Sequence, residues 1–295
     1  MKTAFITGAN VGQAFLQPNP QIQGSFGGNP NLNEETSDTW TVGAVIQPRF
    51  IPRLAVTIDY FNISIEDRIS VLGGSAANVL NLCYNEIRDA SSIYCQAINR
   101  NPGGVISGEQ FSIEVLNANI ASHKTSGVDL QIDYSQPLGF SMFGQGESRL
   151  NFFFLGTWTD KSDFAPVADL PGINECAGTF GLICPISPIP DWKWTTRVSW
   201  VDGPLTATAR WRHLAGLEDD DLGTDYVVEH LNSYDLFDLA FAFDVNDNVT
   251  LNLGVNNLFD KEPQLIGSNQ EQANTYPGTF DVLGRDFFIS ANFRF

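Results

Sequence analysis

Four cysteines, three histidines and one run of acids are the residues of this 295-residue chain whose chemistry asks to be tested first. Cys83 lies near Cys95 and Cys176 near Cys184, each pair in a stretch rich in Gly, Pro, Ser and Asn. That pattern reads as two local disulfides made in an oxidising compartment, with unpaired thiols as the other reading. Neither pair has C-x-x-C spacing or a neighbouring histidine, so a zinc site is not expected. His123, His213 and His230 have no nucleophile or metal ligand at useful spacing. The chain also lacks G-x-S-x-G, a phosphate-cradling loop and H-E-x-x-H. The expectation is a protein that is not an enzyme, with no cofactor and no metal.

Two charged groups remain as candidates for binding. Glu218-Asp219-Asp220-Asp221, with Asp225 and Glu229 close by, could bind a divalent cation or exclude anions, or could be a solvated loop. Arg210 and Arg212 share one face of a segment whose other face is apolar, where they could meet a carboxylate or a ferric siderophore, or pair with Asp238 or another acid on a neighbouring strand. The formal charge of -18, from 16 Lys and Arg against 34 Asp and Glu, argues against nucleic acid as a partner.

The elements that would position these residues are strands. From about residue 38 apolar and polar residues alternate with period two, which sends successive side chains to opposite faces. Leu205, Ala207, Ala209 and Trp211 alternate with Thr206, Thr208, Arg210 and Arg212. Phe237, Leu239, Phe241 and Phe243 alternate with Asp238, Ala240, Ala242 and Asp244, and Val249, Leu251, Leu253 and Val255 with Thr250, Asn252, Gly254 and Asn256. Helical spacing is hard to find, and no apolar run approaches the roughly 18 residues of a membrane helix. The strands run about 10 to 14 residues, beyond the usual length in soluble sheets. Trp40, Tyr60, Tyr134, Trp158, Trp192, Trp200, Trp211 and Tyr234 fall near their ends, as in the aromatic girdles of outer-membrane barrels. Short turns at 48–53, 202–204 and 245–248 take turns with long loops at 66–112, 161–189, 216–230 and 260–282. Counting these gives about nine strands, provided 111–135 is one strand running through Ala121-Ser122-His123. The N-terminal apolar run stops at Gly8-Ala9-Asn10, too short for an export signal.

Three segments resemble the C-terminal barrel of TonB-dependent receptors. Asn29-Pro30-Asn31-Leu32 with Glu35, Ser37, Trp40 and Gly43 is similar to the family's lead-in to a barrel strand, with Glu34 where a proline is common. Gly127-Val128-Asp129 is similar to its Gly-Val-acid strand. Asn256-Asn257-Leu258-Phe259-Asp260-Lys261-Glu262-Pro263, followed by Gly284-Arg285 and a last strand ending at Phe295, is the most specific of the three. Asn257, Asp260 and Pro263 are turn formers, and Leu258 and Phe259 offer apolar anchorage at the membrane boundary.

The resemblance implies an all-β fold, a partial antiparallel transmembrane barrel of roughly 22 strands when whole, its lumen plugged by a separate domain. Residues 1–295 are then its C-terminal part, with 1–37 a loop lead-in and 38–295 strands and loops. It implies a place in the Gram-negative outer membrane among lipopolysaccharide, insertion by the β-barrel assembly machinery, and uptake of a scarce ligand such as a ferric siderophore, cobalamin or an oligosaccharide. Coupling to the TonB complex would run through an N-terminal part that this chain is expected to lack, so alone it should transport nothing. A passive porin and a secreted β-sandwich binding protein are the competing readings. An Arg210 or Arg212 facing lipid near the midplane would cost roughly 2–4 kcal/mol, which sets the expected register with both arginines inward.

Overall fold

Period-two patterning produces the long strands where they are expected, three of them longer than expected at 18, 26 and 18 residues, while short strands also form within segments expected to be loops. A computed structural model describes residues 24–102, 104–106, 110–144, 146–167, 172–185, 187–267, 271 and 273–294; the N-terminal run judged too short for an export signal and Phe295 lie outside them. In chain order the strands are β1 (Gly24–Gly27), β2 (Thr36–Ile46), β3 (Leu54–Val71), β4 (Ile113–Leu138), β5 (Ser148–Ala165), β6 (Asn174–Glu175) and β7 (Thr179–Phe180), then β8 (Trp192–Asp202), β9 (Leu205–Leu214), β10 (Leu217–Asp219), β11 (His230–Leu231), β12 (Tyr234–Asn246), β13 (Val249–Asn256) and β14 (Asp286–Phe293). The main sheet follows the sequence: β2, β3, β4, β5, β8, β9, β12, β13 and β14, each hydrogen-bonded to the next. Among the described residues that path has nine strands, with β1 paired to β4 and β6 to β5 beside it to make eleven, and β4 runs unbroken through Ala121-Ser122-His123 for 26 residues. Among the described residues no helix is long and apolar enough to cross a membrane.

The chain divides into two compact units. One comprises Met1–Asp38, Ser64–His123 and Phe164–Ile173. It contains helical pieces that the alternation does not announce: α1 (Ala76–Asn81), a wider helical turn at Leu82–Ile87 and α2 (Ile93–Gln96). Helices this short show less than two turns of periodicity, so local caps define them instead. Ser75 Oγ accepts from Asn78 N–H at 3.2 Å, and Ser92 Oγ from Cys95 N–H at 3.3 Å. Cys83 and Cys95 are joined, Cα to Cα 4.9 Å, inside a cluster of Val79, Leu82, Tyr94, Ile98 and Ile113. The lead-in residues are tied to this unit. Asn29 Nδ2 donates to the Asn117 carbonyl at 3.0 Å, and the Glu35 carboxylate accepts from Ile69 N–H at 2.6 Å.

The other unit comprises Thr39–Ile63, Lys124–Asp163 and Asn174–Phe295. Its antiparallel register keeps the two sets of side chains apart: Phe241 lies opposite Leu253 and Ala207, while Ala240 lies opposite Gly254 and Thr208. Gly254 is required there, because a Cβ would sit 2.5 Å from the Phe288 ring and 2.6 Å from the Leu239 carbonyl. On the apolar face Trp158 lies opposite Trp192, and Trp194, Trp211 and Phe237 continue the aromatic row, with Phe237 5.8 Å from Trp211. Tyr234 departs from the girdle expected of it. It starts β12 on the polar parity, is 5% exposed, and donates to the Lys261 carbonyl at 3.1 Å within a buried cluster containing Phe180, Leu217, Leu231 and Phe280. A long loop folded back over this strand end supplies an acceptor for the phenol, so water is not needed there.

Candidate functional site

Residues two apart on a strand share a face, so Arg210 and Arg212 emerge together on the polar side of β9. β12 answers with Asp238, which lies directly opposite Arg210 in register. Arg210 Nε donates to Asp238 Oδ2 at 2.7 Å; Arg212 Nε donates to the same oxygen at 3.0 Å and its Nη2 to Oδ1 at 3.0 Å. The carboxylate is 5% exposed and accepts a fourth bond, from the Asn257 backbone N–H at 2.8 Å. A withdrawn carboxylate needs this saturation, since charge-assisted bonds offset the desolvation that an unpaired one would suffer.

Asn257 links this hub to the loop that follows β13. It is fully buried and has φ +51, a left-handed conformation that asparagine tolerates better than most residues. Its amide donates to the Lys261 carbonyl at 2.9 Å and its side-chain oxygen accepts from Lys261 N–H at 2.7 Å, closing the turn on itself. Leu258 N–H donates to the Phe237 carbonyl at 2.7 Å. Asp260 Oδ1 accepts from Arg285 N–H at 2.8 Å, and Arg285 Nη1 donates to the Leu258 carbonyl at 3.3 Å. Gly284, at φ +78, lets Asp260 come close, for a Cβ there would lie 2.9 Å from its oxygen. Asn257, Leu258, Asp260, Gly284 and Arg285 therefore form one knot between the end of β13 and the start of β14. Phe259 is 70% exposed and meets the Phe237 ring edge-on at 5.5 Å on the apolar face.

Below the hub the polar face holds an open cavity of about 680 Å³. Arg53, Arg197 and Arg210 line it, together with Asp133, Asn151 and Asn256. Arg53 and Arg197 were not among the candidates from sequence. The available signal was parity: Arg197 has the same inward phase on β8 that Arg210 has on β9.

The acidic run lies elsewhere and is put to structural use. Asp220 accepts from the N–H groups of Ile183 at 3.1 Å and Cys184 at 2.8 Å, fastening the loop that Cys176 and Cys184 close, their Cα atoms 5.8 Å apart. Asp219 accepts from Asp221 N–H at 2.8 Å, and Glu218 faces His230 Nδ1 at 2.8 Å. Among the described residues there is no group of three or more His, Cys, Asp or Glu side chains placed to hold a metal ion. Burial pushes the Asp220 carboxyl above its ordinary value and the neighbouring Asp219 charge adds to this, against the lowering effect of the backbone N–H groups. The remaining histidine pair is on the apolar face: His213 stacks on Trp194 at 3.6 Å and meets Asp235 at 2.7 Å, the same carboxylate oxygen that accepts from Trp211 Nε1.

A sheet whose main path is nine antiparallel strands with one polar and one apolar face, and with short and long connections in alternation, is part of the wall of a transmembrane β-barrel. A family profile described as TonB dependent receptor-like, beta-barrel, matches residues 6–258, and the chain belongs to that family. No curated protein matches it significantly. Among solved structures it is similar to a variant of the ferric enterobactin receptor PfeA from Pseudomonas aeruginosa, at 17% identity and a TM-score of 0.58, over 92% of this chain and 32% of that one. The FrpB iron transporter from Neisseria meningitidis superposes with a TM-score of 0.53 at 16% identity, over 92% of this chain and 33% of that one. The copper transporter OprC gives 0.50 at 16% identity, over 93% and 34% of the two chains. The chain thus spans about a third of the length of these neighbours, and at such identity the likeness establishes the fold.

Proposed function

We propose that this chain is the lumen-bearing wall of an outer-membrane importer that takes up a metal chelate, driven through the TonB complex, with the polar face of β8, β9 and β12 turned to the cargo path. The observation that carries this reading is the cluster of arginines on that face, organised by one carboxylate, in a chain whose overall charge is -18. Barrel lumens are polar while their outer faces are apolar, so the register of Arg210, Arg212 and Asp238 is the one a lumen requires. Neighbouring folds that carry iron or copper make a metal complex the first cargo class to test, ahead of cobalamin or an oligosaccharide. The acidic loop and both disulfides belong, on this reading, to the extracellular side, and insertion uses the β-barrel assembly machinery.

The test is uptake by cells that express the whole receptor containing this chain. Radiolabelled ferric siderophore should accumulate, and an uncoupler of the proton motive force should abolish accumulation. Accumulation that ignores the uncoupler would instead support a passive porin.

A further inference from the structure

One of the short connections is built as if for a dry place. Residues 139–144, between β4 and β5, read Gly-Phe-Ser-Met-Phe-Gly and carry no charge. Phe140, Met142 and Phe143 stand 53%, 69% and 53% exposed. A turn meant for water can leave its backbone groups to water, but this one satisfies them internally. Asp202, fully buried at the end of β8, accepts from Met142 N–H at 2.6 Å, from Phe143 N–H at 3.1 Å and from the Ser141 hydroxyl. Ser141 Oγ accepts in turn from Gly144 N–H at 2.9 Å, and the Phe140 carbonyl accepts from Ser148 N–H at 2.9 Å and from the Ser148 hydroxyl at 2.8 Å. The two connections meet glycine on glycine: a Cβ on Gly144 would lie 2.9 Å from Gly203 Cα. Withdrawing a carboxylate from water costs free energy unless charge-assisted bonds offset it. Here that arrangement fixes the shape of a turn whose three large apolar side chains stay exposed.

Phe143 shows which way the turn leans. Its ring meets Trp200 edge-on at 6.1 Å, and Trp200 lies on the apolar face of the wall, opposite Leu150 on β5 and Ala207 on β9. We propose that the 139–144 connection is a membrane hook: Phe140, Met142 and Phe143 enter the acyl chains of the phospholipid leaflet at the short-turn end of the barrel, and Asp202 holds the turn in the entering shape. The apolar face and this turn form one continuous apolar surface, so the lipid that covers the first covers the second. Backbone groups that enter hydrocarbon must already be paired, which is what the Asp202 clasp provides. Glu147 and Arg149, exposed just beyond the uncharged run, mark where the headgroups begin. The β2–β3 connection lies at the same end of the sheet, and its Phe50, 84% exposed, offers a second point of entry. The hook needs only the barrel wall and is independent of what the importer carries.

The test uses the whole receptor in vesicles of phosphatidylethanolamine and phosphatidylglycerol. Met142→Cys supplies a thiol for an environment-sensitive fluorophore, since the four cysteines of this chain are paired in two disulfides, and the wild-type receptor is the blank. Asp247→Cys, in the exposed β12–β13 connection at the same end, is the reference. The label at 142 should lose about half its emission to doxyl-labelled phospholipid and resist iodide present on both sides, and the label at 247 should do the reverse. A label at 142 that iodide quenches and the lipid does not overturns the proposal. So does shielding seen in native outer membranes but not in the vesicles, because that assigns the turn to a protein partner. Asp202→Asn in the Met142→Cys background should raise iodide quenching at 142, and unchanged quenching overturns the part given to Asp202. Should Asp202→Asn fail to assemble, Ser141→Ala removes two bonds of the clasp: a rise in iodide quenching supports it, and quenching equal to that of the parent overturns it.

Discussion

Asp238 and Asp220 are both withdrawn carboxylates that collect donors from distant stretches of chain, yet they meet the cost of burial in opposite ways. Asp238 sits between two guanidinium groups and a backbone N–H. Asp220 has backbone N–H groups alone and a second acid beside it. Where cations do the work, the charge itself is the fastening. Where amides do it, the geometry of the loop is the fastening, and the charge is a burden on it.

The sharpest way to break this comparison is to remove the charge that the arginines need. Asp238→Ala strands Arg210, Arg212 and the buried Asn257 N–H together, and should cost about 2–4 kcal/mol. It would be read as a lower unfolding temperature and a loosened 257–285 loop, and a loss below about 0.5 kcal/mol would show that the hub is not structural. Opening the other region should cost somewhat less. Replacing Cys176 and Cys184 by serine together frees a short closed segment, worth about 2–3 kcal/mol in the chain-entropy account. The effect should stay within the Asp220 loop, seen as faster proteolysis there with barrel melting unchanged.

The smallest effect separates the two carboxylates by pH. Because the Asp220 carboxyl is raised from 3.8, its protonated form favours the folded loop. That contribution is fully present below 3.8 and is lost as pH rises through the raised value. Protease resistance of the loop should therefore fall a few-fold across that window and then level off, and Asp220→Asn should remove the dependence. Resistance that rises over the same window would reverse the assignment.

Much of the architecture was legible in the residues. Phe237, Leu239, Phe241 and Phe243 against Asp238, Ala240, Ala242 and Asp244 announced both faces of β12, and the turn formers from Asn257 to Pro263 announced where β13 would end. The helical pieces around Cys83 and Cys95 were not announced, since they are too short to show a period and depend on caps and a crosslink. Tyr234 looked like one more girdle aromatic because it falls near a strand end, whereas a loop from far along the chain buries it.

By itself the sequence determined which side chains share a face, because parity along a strand is a local property of backbone geometry. It also supplied the family's turn chemistry, which again involves near neighbours. Only the tertiary structure decided that Asp238 would answer two arginines, that Asn257 would close the hub, and that Arg197 would stand opposite Arg210. Those facts depend on the register between strands and on loops returning from far along the chain, and a shift of one residue in pairing would have sent each of these charges to the other face.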